Sequence, residues 1–142
     1  LTAASSAVAM IDANGGSFAT AVPDLLPGDY FHRYVDLRNS SSAAAGFAGQ
    51  VTATGDLAGV LSVQVDGCPQ ASSADHTCSG IVTPLVAKTA ASSAVPVNYG
   101  TIAPGDSNAK HVRYLFTMSD TAPATMMGKS GTIAASVSST LT

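Results

Sequence analysis

Two stretches of this chain open in the same way. Leu25-Leu26-Pro27-Gly28-Asp29 runs into the strand-like segment Tyr30 to Arg38, which an Asn39-Ser40-Ser41-Ser42 loop stops; Ile102-Ala103-Pro104-Gly105-Asp106 precedes His111-Val112-Arg113-Tyr114-Leu115-Phe116. Proline presets φ at the second position of a turn, glycine accepts φ > 0 at the third, and aspartate bonds the local backbone. Aromatic and β-branched residues then favour extended chain. The repeat predicts two similarly launched strands, one in each sheet of a sandwich.

Composition narrows the class. Hydrophobic residues make up 46% of the 142 and charged residues only 11%, which excludes a disordered chain and fits one domain with a core of its own. Every acidic residue is Asp, and Asp, Ser, Thr and Gly serve turns and strands better than helix interiors. The apolar set is mostly Ala and Val, with 6% aromatics and no Trp, so a thin core of small side chains is expected. A net charge of −3 without a basic stripe excludes nucleic-acid binding, and no apolar run reaches the ~20 residues of a membrane span. A surface of Ser, Thr, Ala and Gly costs little to desolvate and suits a protein packed against neighbours.

Cys68 and Cys78 stand in a polar loop with nine residues between them, and the chain opens on Leu1, from which a processed N-terminus is expected. Together they point to a secreted protein with one disulfide, worth roughly 2–3 kcal/mol for so small a loop. Two free thiols are the alternative. A zinc site is weaker, because only His76 lies nearby.

Along the chain, Leu1 to Ile11 is apolar on both faces of any extended strand. Such a segment wants burial on both sides. It docks as the first strand of its own sheet, inserts into a neighbouring subunit, or forms an Ala-rich helix. Asp12 to Gly16 is a turn. Strands follow over Ser17 to Val22, Tyr30 to Arg38, Phe47 to Thr54 and Val60 to Val65, the second with Phe31, Arg33, Val35 and Leu37 inward. Pro84 places Ile81 to Val86 at a sheet edge. Lys88 to Val95 reads as a loose excursion. Val97 to Ile102, His111 to Met118 and Gly131 to Leu141 are strands, with a short helical turn over Ala124 to Met127 ended by Gly128. Short strands spaced by turn signals predict an all-β fold, a β-sandwich of jelly-roll kind.

The launch motif Leu25 to Asp29 with its Asn39-Ser40-Ser41 stop, and the tail Tyr114-Leu115-Phe116-Thr117-Met118 followed by Met127-Gly128-Lys129-Ser130-Gly131-Thr132-Ile133, resemble the TasA/camelysin family of secreted biofilm-matrix proteins. About half of the chain carries the resemblance; the segment around the cysteines has no counterpart in it. The resemblance implies a jelly-roll subunit of an extracellular fibre, exported through a dedicated signal peptidase. It also implies donor-strand complementation, in which the N-terminal segment of one subunit fills a groove in the next. Residues 1–11 would then be the donor, through Leu1, Ala3, Ala7, Val8, Ala9, Met10 and Ile11, and residues 12–142 the sandwich domain. The partner is a second copy, added head to tail.

Some members of that family are labelled metalloproteases. A zincin needs two His one helical turn apart with a Glu between them, whereas His32, His76 and His111 are scattered and Glu is absent. Gly128-Lys129-Ser130-Gly131 reads as the turn before the last strand. Calcium on Asp24, Asp29, Asp106 and Asp120 stays open, although turn capping explains these carboxylates more simply. No catalytic residue, metal site or cofactor is expected. The rival to the fibre is a monomeric secreted module that holds a ligand on the Tyr30, His32, Tyr34 face or the cysteine loop; a camelysin-like protease is a distant third.

Overall fold

The computed structural model describes residues 7–11, 16–21, 25–39, 41–68, 82–105, 108 and 110–141. Nine strands pair among them: β1 (Ala7–Ile11), β2 (Gly16–Ala21), β3 (Tyr30–Leu37), β4 (Ala45–Gly55), β5 (Leu61–Cys68), β6 (Thr83–Ala90), β7 (Val95–Ile102), β8 (Lys110–Met118) and β9 (Gly131–Leu141). They form a five-stranded sheet, ordered β1-β3-β8-β5-β6, and a four-stranded sheet, ordered β2-β9-β4-β7. Every ladder is antiparallel except β1–β3. Successive strands alternate between the sheets; only β5 and β6 are sequence neighbours within one sheet. The fold is an all-β sandwich.

The two launch turns do not serve opposite sheets. β3 and β8 are antiparallel neighbours in one sheet, and each turn is tied to the chain just where the other strand ends. Gly28 (φ 87°) donates its N–H to Met118 O at 2.9 Å, and Met118 returns a bond to Asp29 O. At the other end Gly105 (φ 106°) donates to Asn39 O at 3.0 Å. Each turn thus satisfies backbone groups that the partner strand leaves open as it exits the sheet.

Between the sheets lies a core that is not thin. Tyr99, Tyr114, Phe31, Phe47 and Phe116 are its largest fully buried side chains, so most of the aromatics sit there rather than at the surface. Phe31 and Phe116 face each other across the β3–β8 ladder and stack with centroids 5.2 Å apart. β9 shows strict alternation, with Ile133, Ala135 and Val137 buried and the residues between them exposed. On β7 the register slips between Phe47↔Gly100 and Ala48↔Asn98, leaving Tyr99 as the extra residue of a bulge beside Gly100 (φ 84°). The slip lets both Tyr99 and Ile102 face inward, which straight alternation forbids.

Several elements match the sequence pattern closely. β9 spans Gly131–Leu141 and β6, with Pro84, is an edge strand. A 3-10 turn covers Ala124–Met126. Lys88 to Val95 is not a loose excursion: it holds the end of β6, a tight corner and the start of β7. The corner is fixed by buried Ala91, which donates to Leu61 O and accepts from Ala53 N. Val60 belongs to a 3-10 turn, Ala58–Val60, so β5 begins only at Leu61.

Candidate functional site

Of the expected donor segment, Ala7, Val8, Ala9, Met10 and Ile11 form β1; Leu1 and Ala3 lie outside the described residues. β1 pairs with β3 of its own chain, in parallel, through Ala7↔Tyr34, Ala9↔Val35, Met10↔Asp36 and Ile11↔Leu37, with an irregularity between Ala7 and Ala9. Docking as an edge strand of its own sheet is therefore the arrangement of the single chain, and the Ala-rich helix is excluded for these five residues.

Beside β1 lies the outer face of the same sheet, where β3, β8 and β5 align polar residues in rows. The first row is Asp36, His111 and Cys68; the second is Tyr34, Arg113 and Asp66; the third is His32, Leu115 and Gln64. In the first row His111 Nδ1 lies 2.7 Å from Asp36 Oδ1. In the second, Arg113 Nη2 donates to Asp66 Oδ2 at 3.0 Å, and Gln64 Nε2 adds longer bonds to the same carboxylate. Asp66 is 1% exposed, so this pairing is what makes its burial tolerable. His32 titrates below the ordinary histidine range, first because it is partly buried and second because Arg113 repels a proton there; Asp66 opposes the shift.

The expected ligand face is only partly available. Tyr30 is 44% exposed and its ring meets His32 edge-on at 5.7 Å, but Tyr34 is 4% exposed and presents almost no surface. Alternation predicts Arg33 in the core, and its guanidinium does lie on that side, 4.8 Å from the Phe31 ring centroid. It keeps one bond, to His32 O, and remains half-buried. Burial disfavours its charge.

The candidate cation ligands are dispersed. Asp29 Oδ2 accepts the Leu26 N–H at 3.0 Å, closing its own turn; Asp120 is exposed; Asp24 and Asp106 lie outside the described residues. His111 pairs with position 36 and His32 sits four residues earlier, a separation of ~13 Å along the strand, so the two histidines do not form a ligand pair. Among the described residues no group of three or more His, Cys, Asp or Glu side chains could hold a metal ion. No helix among them is long and apolar enough to cross a membrane.

Cys68 closes β5, and the described residues include no free cysteine. Cys78 and His76 lie outside the described residues. A shallow open groove of about 640 Å³ runs over Gly46, Ala48, Gly49, Leu85, Pro96 and Asn98, and no titratable side chain lines it. Sequence reasoning missed the Asp36–His111–Cys68 row. Its only linear signal is alternation, which puts each residue on the outer face of its own strand without revealing which strands pair.

No protein-family model matches the chain, and neither does any curated protein.

Proposed function

We infer that the chain is a structural subunit of an extracellular fibre, of biofilm-matrix or cell-surface kind. On this reading β1 of one copy completes the sheet of the next. The observation that carries it is the place of β1. Set aside β1, and the other eight strands make two four-stranded sheets, β3-β8-β5-β6 and β2-β9-β4-β7. That order, with nearly every connection crossing between sheets, supports a jelly roll.

β1 is an addition to this framework. It sits at a sheet edge, and its one ladder is parallel and irregular. The same backbone bonds and apolar residues serve equally well when supplied by a second copy, which is why terminal edge strands exchange at low cost. Because donor and acceptor are different surfaces, the contact is heterologous and extends into a filament. The resemblance to TasA/camelysin proteins supports the same reading, as do the low charge and the small-residue surface. It carries with it export from the cell, a Cys68–Cys78 disulfide and a scaffolding rather than catalytic role; it requires no cofactor and no bound calcium.

A second reading draws on the same strand. β1 already occupies the β3 edge of its own chain, as a monomeric secreted ligand-binding module would have it.

The full chain, followed by light scattering as its concentration rises and mixed with a synthetic peptide of residues 1–11, separates the two. Growth into higher-order species that the peptide caps supports exchange of β1 between copies. A compact monomer at every concentration that ignores the peptide contradicts it and supports the closed module.

A further inference from the structure

Charge is divided between the two sheets. Not one residue of β2, β4, β7 or β9 carries a charged side chain, so the whole four-stranded sheet is neutral. The strands of the five-stranded sheet hold Arg33, Asp36, Asp66, Lys88, Lys110 and Arg113. Core packing accounts for neutral side chains on an inner face. It gives no reason for a neutral outer face, where charge is well solvated and keeps like surfaces apart.

Two adjacent rows show what that outer face is made of. Ser138, Ala48 and Asn98 stand side by side across β9, β4 and β7, and Ser136, Gln50 and Pro96 form the next row; all six are exposed. Several of the polar groups are turned onto the sheet itself. Asn98 Oδ1 accepts the Gly100 N–H at 2.9 Å, and longer bonds run from Ser138 Oγ to Ala48 O and from Thr54 Oγ1 to Thr132 O. Groups already bonded within the sheet lose less when water is removed from above them. The outer face of the other sheet is the opposite case. Covering it would desolvate the Asp36–His111 pair, whose side chains are 28% and 18% exposed.

We propose that the outer face of the four-stranded sheet is a lateral contact between copies of this chain, packing on the same face of a second copy across a twofold axis. A neutral face meets its own copy without like-charge repulsion, whereas a charged partner would find nothing on it to pair with. Its relief is also self-complementary. Gln50 is the long side chain of the two rows, and the shallow groove over Gly46, Ala48, Pro96 and Asn98 opens beside it. A twofold places the Gln50 of each copy against the groove of the other. Four strands about 4.8 Å apart, paired over about eight residues, present about 500 Å². Two such faces bury about 1,000 Å², the lower limit of a specific contact.

So small a contact is weak between single subunits and gains strength by repetition along a filament. It rests on the fibre reading for that repetition alone. β1 belongs to the other sheet, so its exchange leaves this face uncovered. The result is filaments joined side by side.

Electron microscopy of the full chain is expected to show paired or bundled filaments. Ser136→Lys should give single filaments of unchanged length, because two copies then set like charges against each other. Ser136→Asp should do the same. Filaments of the two variants, grown apart and then mixed, should pair again. Thr89→Lys, at an exposed position on β6, should pair as the parent does. Single filaments from the parent, or Ser136→Lys filaments that pair like the parent's, overturn the proposal.

Absence of filaments would overturn the reading of β1 and leave this contact to be decided by sedimentation equilibrium of the full chain at millimolar concentration. A dimer that Ser136→Lys weakens at least about tenfold supports the contact. Monomers throughout, or a dimer that Ser136→Lys leaves unchanged, overturn it.

Discussion

The hydroxyls of Tyr99 and Tyr114 lie 2.5 Å apart in the middle of the core, one on each sheet. Without this bond the Tyr99 phenol would bring an unpaired polar atom into an apolar interior, at a cost that makes buried hydroxyls find partners. The β7 bulge is what delivers Tyr99 to it. Tyr114→Phe leaves the Tyr99 hydroxyl stranded and is expected to lower stability by about 1–3 kcal/mol. The double variant with Tyr99→Phe should cost less than the sum of the two single changes, because it removes both halves of the pair. Urea denaturation of the four proteins measures the coupling.

The same pair predicts behaviour in alkali. Burial pushes Tyr99 up to about 12 from an ordinary phenol value of about 10. Tyr114 is pushed higher than its ordinary value, by burial first and then by its neighbour Tyr99. The folded state holds these protons more tightly than the unfolded chain. The stability they contribute is therefore complete below pH ~10 and is lost as pH rises toward the folded value. Tyrosinate absorbance should show Tyr99 and Tyr114 ionising only together with the loss of β-sheet circular dichroism. Ionisation of both in a still-folded protein would contradict this.

Asn39 is fully buried, and its amide is filled on every side. Nδ2 donates to Ala43 O and Ile102 O, both at 2.8 Å, while Oδ1 accepts from the N–H and hydroxyl of Ser41. The side chain thereby joins the exit of β3 to the end of β7. Asn39→Asp puts a carboxylate against two carbonyls and is expected to be worse than Asn39→Ala, each losing about 2–4 kcal/mol. Thermal melts rank them.

Gly49 tolerates no side chain. A Cβ built there falls 1.8 Å from Ser136 O and 2.7 Å from Ser136 C, both backbone atoms of β9 that cannot yield without opening the β4–β9 ladder. Gly59 has nothing within 4 Å of its added Cβ. Gly49→Ala should fail to fold or melt far below the parent, whereas Gly59→Ala should melt within a few degrees of it. Parallel expression and melting of the two variants makes the comparison.

His32 predicts the acid side. Its folded-state value lies below the ordinary 6.5, first through burial and then through Arg113. The unfolded chain binds the proton more readily, so stability falls as pH drops below about 6.5 and levels off beneath the folded value. His32→Asn should flatten this part of the melting-temperature profile. An unchanged slope would remove His32 as its source.

Local chemistry was readable where it is written in adjacent residues. The Pro27-Gly28-Asp29 turn, the edge position signalled by Pro84, the 3-10 turn at Ala124 and the alternation of β9 all rest on contacts within a few residues. What the sequence did not disclose is set by pairing at long range. Nothing in the two launch motifs says that β3 and β8 lie side by side rather than in opposite sheets. Aromatic content did not reveal that five of the rings converge in the core, and the slip at Gly100 hides the inward turn of Tyr99. The row of Asp36, His111 and Cys68 depends on two ladders at once, and no linear pattern encodes that.

The central claim is that β1 is supplied by one copy to another. Electron microscopy and light scattering of the full chain, side by side with a chain lacking residues 1–11, test it most directly. The account predicts filaments from the full chain and dispersed single subunits from the truncated one. A full chain that stays a compact monomer at every concentration, or a truncated chain that grows the same filaments, would contradict it.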